Sequence, residues 1–439
     1  MTYQETLQFL YEKLPEFTRI GEAAYKKDIH NTISLCNALN NPHLQFKSIH
    51  IAGTNGKGSV SHMVASILQE AGFKTGLYTS PHLYNFRERI RINGEMISED
   101  AVVAFTQQAM PLIDAIKPSF FELTVAMAFD YFAKQQVDIA VIETGLGGRL
   151  DSTNIITPLL SIITNIGWDH MQFLGDSLEK IAFEKAGIIK KEVPVVIGKM
   201  QEESWPVFIE KAAKENAPIV VAGSNHSVDH FYWEKGKLVI KIKSGPSSTF
   251  FELDLNGIYQ CDNLLTVLSV IEQLDKAGFA ISSPAILKGL SKTKKNTGLL
   301  GRWEEISLHP TLVLDVAHNT AGIEQVLRHL QQIHFNKLHL ILGMVKDKDS
   351  ERVLALLPKQ AAFYFTQAHL PRAMPATALA ALARNKEIIG TTHENVNDAI
   401  AAAKQLAMPN DLLIVCGSIF LVAEVDRDRW ETHPATGAN

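Results

Sequence analysis

Apolar positions along this chain fall into two rhythms. Short unbroken runs rich in Val and Ile predict buried strands over 46–52, 137–142, 159–164 and 193–197. Between them, apolar residues at helical spacing predict helices near 59–71, 98–116, 122–135 and 177–188. Strand and helix alternating in this way is the pattern of a doubly wound α/β protein. Residues 89–96 read as a short hairpin with Asn93-Gly94 at its tip. Residues 228–243 and 249–255 alternate apolar and polar positions, with Gly236 at a turn, which predicts a small antiparallel sheet.

The rhythm breaks near 291–300. Lys292-Thr293-Lys294-Lys295-Asn296-Thr297-Gly298 has the polar composition of a flexible linker. The alternation then restarts, with strands expected over 311–316, 338–343, 361–365 and 411–416, and helices near 323–333, 350–357, 376–384 and 396–406. Two domains are therefore expected, 1–297 and a smaller α/β domain over 298–439, with the linker as a candidate hinge. No repeat of fixed period and no low-complexity segment interrupts them.

Composition narrows the class. The chain has 439 residues, 46% hydrophobic and 20% charged, which suits a globular protein with a large core. Its 42 basic and 47 acidic residues leave a net charge of −5, with no long basic run, so a nucleic-acid partner is not expected. Any phosphate must be held by local groups. Cys36, Cys261 and Cys416 lie far apart without metal-type spacing, and read as small buried apolar residues. The first residues carry Glu5, Glu12 and Glu16 and no long apolar core, unlike a signal peptide, and no run of about 18 apolar residues suggests a membrane span. A soluble, cytoplasmic, monomeric enzyme without a membrane partner is the expectation.

Candidate chemistry begins at Gly53-Thr54-Asn55-Gly56-Lys57-Gly58-Ser59. This stretch follows one predicted strand and precedes a predicted helix, the layout of a loop that cradles phosphate. Glycines let successive backbone N–H groups turn toward an anion, the helix aims its positive end at the same point, and Lys57 supplies a mobile cation. The wording is unusual, since Gly58 separates Lys57 from Ser59 and Ile51 stands where the common pattern has its first glycine. A nucleoside triphosphate is the expected ligand, and it brings Mg²⁺ with it.

Other polar groups stand at strand ends, where open α/β sheets collect ligands. Glu143 ends the second strand and suits a metal-holding acid, though a solvent-facing Glu would look the same. The glycine-rich stretch Thr144-Gly145-Leu146-Gly147-Gly148-Arg149-Leu150-Asp151-Ser152-Thr153-Asn154 follows it. Thr79-Ser80-Pro81-His82 offers hydroxyl ligands. Asp169-His170 follows a further strand, where imidazole is a poor match for Mg²⁺. Lys185, near the end of a helix, reads locally as a cation balancing the helix dipole. In the second domain Arg302 has a planar fork suited to phosphate, and Asp315, before Ala317-His318-Asn319, is able to accept from a ribose hydroxyl. An inter-domain ion pair would account for these two nearly as well.

Taken in order, these blocks, with Glu88-Arg89-Ile90, Phe121-Glu122, 184–188 and Gly417-Ser418, resemble the folylpolyglutamate synthase and dihydrofolate synthase family, kin to the muramyl amino-acid ligases. The resemblance spans most of the chain. It implies a Mur-ligase-like P-loop ATPase domain with a small antiparallel sheet, plus a smaller Rossmann-like α/β C-terminal domain. It implies ligands between the two domains. By resemblance, Thr54, Asn55, Gly56, Lys57, Gly58 and Ser59 hold ATP phosphates, joined by Asn263, Arg302, Asp315 and His318. Ser80 and Glu143 match ligands of one Mg²⁺, His170 matches a ligand of a second, and Lys185 matches a carbamylated lysine of such enzymes. Lys57, Glu143, His170 and Lys185 form the implied catalytic set. Ser119, Phe121, Leu150, Asp151 and Ser152 match the pterin side, where Phe121 suits stacking on a flat ring. The stretch Arg19-Ile20-Gly21-Glu22-Ala23-Ala24-Tyr25-Lys26-Lys27-Asp28 departs from the family wording at a place that helps bind dihydropteroate in bifunctional relatives.

The implied reaction joins L-glutamate to dihydropteroate, or to the glutamate tail of reduced folates, at the expense of ATP and through an acyl phosphate. A single one of these activities, a muramyl-type ligase, and a nucleotide-dependent switch are the competing readings. The stretch 147–154 looks folate-type rather than muramyl-type.

Overall fold

The computed structural model describes residues 1–15 and 28–430. The chain divides into two compact units, Met1–Asp254 with Gln260–Leu299, and Leu255–Tyr259 with Leu300–Asn439.

The first unit is built on an eight-stranded sheet. Its strands are β1 (Lys47–Ala52), β2 (Thr75–Tyr78), β3 (Ile90–Ile92), β4 (Glu95–Met96), β5 (Ile139–Glu143), β6 (Leu160–Ile163), β7 (Val195–Ile197) and β8 (Ile219–Val221), in the order β4-β3-β2-β5-β1-β6-β7-β8. β2, β5, β1, β6, β7 and β8 run parallel, while β3 and β4 form an antiparallel edge. The central strands are covered on both faces, which is why they read as unbroken apolar runs. The helix Lys57–Glu70 is buried over all of 58–68, an unusually enclosed position for a helix. Gly289 of the helix Ser283–Ser291 lets it approach closely, since a Cβ there would lie 2.6 Å from Ile67 Cα. On one side of the sheet the helices Tyr3–Lys13, His30–Ala38, Glu99–Ile116 and Phe120–Lys134 share one core. On the same side, farther along the sheet, Leu178–Ala186 and Trp205–Glu215 pack against β6 and β7.

The hairpin and the small sheet form as the alternation foretells. β3 and β4 flank Asn93-Gly94, and β9 (Ser227–Glu234), β10 (Lys237–Ser244) and β11 (Ser247–Leu253) make an antiparallel three-stranded sheet. The expected flexible linker does not. Thr293–Thr297 is a short helix with Thr293 and Thr297 buried, and Asn296 donates to Ser66 Oγ and Glu70 Oε1, both at 3.1 Å. Polar composition misled because these hydroxyls are satisfied by nearby carbonyls, Thr293 Oγ1 donating to Gly289 O of the preceding helix at 3.1 Å and Thr297 Oγ1 to Thr293 O at 2.5 Å.

The second unit carries β12 (Glu304–Leu308), β13 (Thr311–Leu314), β14 (Leu338–Leu342), β15 (Ala362–Phe365), β16 (Gly390–Thr392) and β17 (Leu412–Cys416), in the order β12-β13-β17-β14-β15-β16. All pair in parallel except β12 with β13. Its core includes Trp303, stacked on His329 with ring centroids 3.6 Å apart. The segment Leu255–Tyr259 groups with this unit although both flanks belong to the first. All three cysteines are free and buried. Burial pushes the thiols of Cys36 and Cys416 up to about 12, as inert core residues require. Among the described residues no helix is long and apolar enough to cross a membrane.

Candidate functional site

Four neighbouring strands of the first unit end on one edge of its sheet. β1 runs into the glycine loop, β5 ends in Glu143, β2 leads to Ser80, and β6 leads to Asn165. Strand order explains the convergence, because β1 lies between β5 and β6 while its own crossover leads to β2 on the far side of β5. Such a switch point opens a crevice at the carboxyl ends of the strands.

The glycine loop is held by backbone. Thr54 N donates to Asn165 O and Asn55 N to Asn165 Oδ1, each at 2.9 Å, while Thr164 Oγ1 donates to Asn55 O at 2.6 Å. Gly53 has φ +150°, and a Cβ there would lie 1.8 Å from Thr164 Oγ1, so only glycine fits. Gly56, with φ +85°, caps the following helix in the left-handed region. Lys57 Nζ folds back to donate to Gly53 O at 3.1 Å and Thr54 O at 3.3 Å. From the helix Gln260–Lys276, Gln260 Nε2 donates to Ser59 Oγ at 3.2 Å and Asn263 Nδ2 donates to Gln260 Oε1 at 2.7 Å. Asn263 Oδ1 sits 2.6 Å from where a Gly56 Cβ would be.

Lys185 is not the solvent-facing, dipole-balancing lysine that its local sequence suggests. It is 4% exposed, and its Nζ donates to Gly53 O at 2.9 Å. Two ammonium groups thus meet on one carbonyl at the root of the phosphate loop, an arrangement that favours an anion beside it. Glu143 is buried rather than solvent-facing, and Ser80 N donates to its Oε2 at 3.3 Å. Glu88 shapes the loop after Ser80 by accepting from the amides of Leu83, Tyr84 and Asn85 at 2.8, 3.0 and 2.8 Å. His170 has φ +49° and caps a short helix, Met171–Leu174, with its side chain 23% exposed.

The glycine-rich stretch after β5 wraps the end of the helix that carries Lys185. Arg149 N donates to Glu184 O at 2.7 Å, and Asn154 Nδ2 donates to Arg149 O and Gly187 O, both at 3.1 Å. Asp151 is buried and occupied within the loop: Oδ2 accepts from Leu146 N at 2.8 Å, and Oδ1 from Thr153 N at 3.0 Å and Thr153 Oγ1 at 2.5 Å. Burial raises its carboxyl above the ordinary range, opposed by these hydrogen bonds. Leu150 and Phe121 are half-buried and Ser152 is buried. A Cβ on Gly145 would lie 2.4 Å from Phe121 Cζ. Ser119 caps the helix Phe120–Lys134, exchanging hydrogen bonds with Glu122. Of the stretch 19–28, only Asp28 falls within the described residues.

In the second unit Asp315 follows β13. Its Oδ2 accepts from Tyr259 Oη at 2.8 Å and Trp303 N at 2.9 Å, and its Oδ1 from Ala317 N at 2.8 Å. Burial raises this carboxyl, and the Tyr259 hydroxyl opposes the rise. Arg302 Nη1 donates to Gly301 O at 3.2 Å, and His318 Nδ1 to Val316 O at 2.8 Å. Thr164, Asn165, Gln260 and His50 were not singled out in sequence. Asn165 alone carried a usable signal, a polar residue just past a strand end, as Glu143 is at its own.

No group of three or more His, Cys, Asp and Glu side chains is arranged to hold a metal among the described residues. A nucleotide-bound Mg²⁺ needs less, because it keeps waters and phosphate oxygens and takes one or two protein oxygens. Glu143 and Ser80 are of that chemistry and fit it.

The fold and the glycine loop define an α/β protein with the layout of a phosphate-binding site, and comparison with known proteins gives its class. The Mur ligase middle domain matches residues 51–271, and the Mur ligase glutamate ligase domain matches 301–419. The dihydrofolate synthase/folylpolyglutamate synthase of Bacillus subtilis is 33% identical over 96% of this chain and 98% of its own length. The structure of Mycobacterium tuberculosis folylpolyglutamate synthase with ADP and AMPPCP superposes with a TM-score of 0.87 at 30% identity, covering 98% of this chain and 99% of that one. Escherichia coli FolC in complex with DHPP and ADP superposes with a TM-score of 0.81 at 26% identity, covering 96% of each chain. The chain belongs to the folylpolyglutamate synthase/dihydrofolate synthase family of Mur ligases and is an ATP-dependent ligase of folate metabolism.

Proposed function

We propose that this ligase carries both activities of its family, joining L-glutamate to dihydropteroate and extending the glutamate tail of reduced folates. The observation that carries this reading is the glycine loop and the 145–154 loop side by side, rooted on β1 and β5 and both bonded to the helix end at Lys185. The full-length match to a relative named for both activities supports it.

In the proposed reaction an acceptor carboxylate oxygen attacks the γ-phosphorus of ATP, forming an acyl phosphate and releasing ADP. The α-amine of L-glutamate then attacks the acyl carbon, gives up a proton, and expels inorganic phosphate. The chain supplies positioning and charge. Amides of 54–59 and Lys57 hold the phosphates, Phe121 stacks on the pterin, and Ser119 and Leu150–Ser152 line its side. Asp151 acts by holding that loop, since its oxygens are already occupied. Asn263, Arg302, Asp315 and His318 serve the nucleotide. Glu143 and Ser80 would hold one Mg²⁺ and His170 a second, and bound Mg²⁺ would draw charge from the transferring phosphoryl group. Carbamylation of Lys185 by CO₂, with release of two protons from the ammonium form, would turn a buried cation into an oxygen ligand. Residues 1–297 form the ATP- and pterin-binding domain and 298–439 the ligase domain of a cytoplasmic monomer.

The test is product mass and phosphate release from Mg·ATP and L-glutamate with dihydropteroate, tetrahydrofolate or no acceptor. Glutamylated product from both pterins is expected. Product from one alone reduces the enzyme to that activity, and phosphate release independent of any acceptor overturns the ligase assignment for these substrates.

A further inference from the structure

His50 is fully buried in the middle of β1, three residues before the phosphate loop begins. Its Nε2 lies 2.8 Å from Thr153 Oγ1, and Thr153 Oγ1 lies 2.5 Å from Asp151 Oδ1. The direction of this chain of hydrogen bonds is set by counting protons. Backbone amides, which only donate, reach both oxygens of Asp151 and favour its ionised form, and a carboxylate has no proton to return, so it accepts from Thr153. The single hydroxyl proton of Thr153 therefore points to Asp151. That leaves a lone pair on Thr153 Oγ1 for a donor, and the donor is His50 Nε2–H. The opposite tautomer would set a lone pair against a lone pair at Thr153. Burial, with Lys190 adding to it, lowers the His50 imidazole to about 3, so it is neutral at working pH and carries one N–H.

The strand that runs into the ATP loop thus also clamps the loop assigned above to the acceptor. We propose that His50 is a positioning residue for ligation, fixing the 145–154 loop through Thr153 and Asp151 so that acceptor and γ-phosphate are registered from one strand. This rests on the acceptor-side reading of 150–152. His50 touches neither reactant in this account, and it acts through Thr153.

The test compares H50L, H50Q and T153V in the full-length enzyme. His50→Leu removes the donor. His50→Gln returns an amide N–H close to the position of Nε2. Thr153→Val removes the relay with little change in shape. Leaving a buried polar partner unsatisfied corresponds to about a tenfold effect, so H50L and T153V should each raise KM for the pterin acceptor about tenfold while KM for ATP stays within about twofold. H50Q should recover most of the loss, and the H50L/T153V double variant should be no worse than either single variant. Equal changes in both KM values, unchanged acceptor KM, or failure of Gln to rescue a folded protein that binds ATP would overturn the proposal. If H50L does not fold, T153V and H50Q decide it by the same criteria. A long-range ¹H–¹⁵N spectrum must show His50 as the Nε2–H tautomer, losing that signature in T153V whichever acceptor the enzyme uses. The Nδ1–H tautomer breaks the chain itself. A correct tautomer with no pterin turnover by the native enzyme breaks the acceptor reading, and with it the proposed role.

Discussion

The two glycine-rich loops of the first unit do related work by different means. The phosphate loop, 53–59, is held mainly through its own backbone, with Asn165 and Thr164 as the nearest partners. The loop at 145–154 is held by side chains: Asp151 inside it, Asn154 reaching Gly187, and His50 from β1. The first is rigid because its glycines admit only one close-packed path. The second is rigid because a buried polar network is satisfied, which makes it sensitive to single atoms. A phosphate group presents the same oxygens in every nucleotide, so backbone amides suffice for it. An acceptor with a flat ring needs a shaped wall, and in the proposed assignment the side chains of 145–154 supply one.

Substitutions can pull the two apart. The largest effect is expected at Lys57. Lys57→Ala removes the cation proposed to hold the phosphates and should lower kcat by about 10³-fold with the fold intact, read by acceptor-dependent phosphate release and circular dichroism. A loss below tenfold would take Lys57 out of the phosphate site.

Next come two glycines. Gly53→Ala would drive a Cβ to 1.8 Å from Thr164 Oγ1 at a φ of +150°, so the loop must rebuild, with a stability loss of about 3 kcal/mol and loss of ATP binding. Gly145→Ala meets the ring tip of half-buried Phe121 at 2.4 Å, which can swing, so it should weaken pterin binding several-fold and leave ATP binding in place. Calorimetry with each ligand separates them, and matching losses of both ligands in G145A would erase the distinction.

A smaller effect concerns acid. The His50 imidazole has its pKa lowered from 6.5 to about 3, so between those values the unfolded chain binds a proton there and the native chain does not. Its contribution is intact above pH 6.5 and is lost as pH falls toward 3, at up to about 1.4 kcal/mol per pH unit. H50Q cannot titrate, so its urea midpoint should fall less steeply than that of the native chain between pH 7 and 5. Parallel curves would mean that His50 is not buried neutral.

The smallest effect belongs to Arg149, whose Nη2 lies 2.8 Å from Glu184 Oε1 with the Arg side chain 43% exposed. Solvent screens such a pair, so Arg149→Ala should change stability by less than about 1 kcal/mol. A larger loss in thermal unfolding would make this ion pair part of the 145–154 scaffold.

The same contrast governs what was legible in sequence. The phosphate loop is contiguous, so its glycines and Lys57 announce themselves, as do strands buried on both faces. The network of the second loop joins residues far apart in the chain: His50 and Thr153 are separated by 103 positions, Lys185 and Gly53 by 132. Local reading sees Lys185 as a helix-end cation and His50 as one more residue of a strand. The helix at Thr293–Thr297 escapes local reading for a related reason, since its polar side chains bond to its own and the preceding helix's carbonyls and to Ser66 and Glu70. Short edge strands such as β16, with two of three residues exposed, lack the apolar run that marked the others.

The acyl phosphate is the central step of the proposed reaction, and oxygen tracing tests it. Dihydropteroate or tetrahydrofolate labelled with ¹⁸O in the reacting carboxylate is turned over with Mg·ATP and L-glutamate, and the inorganic phosphate is weighed by mass spectrometry. One ¹⁸O per phosphate is predicted, because the carboxylate oxygen that attacks the γ-phosphorus leaves with it. Unlabelled phosphate alongside glutamylated product would contradict the mechanism.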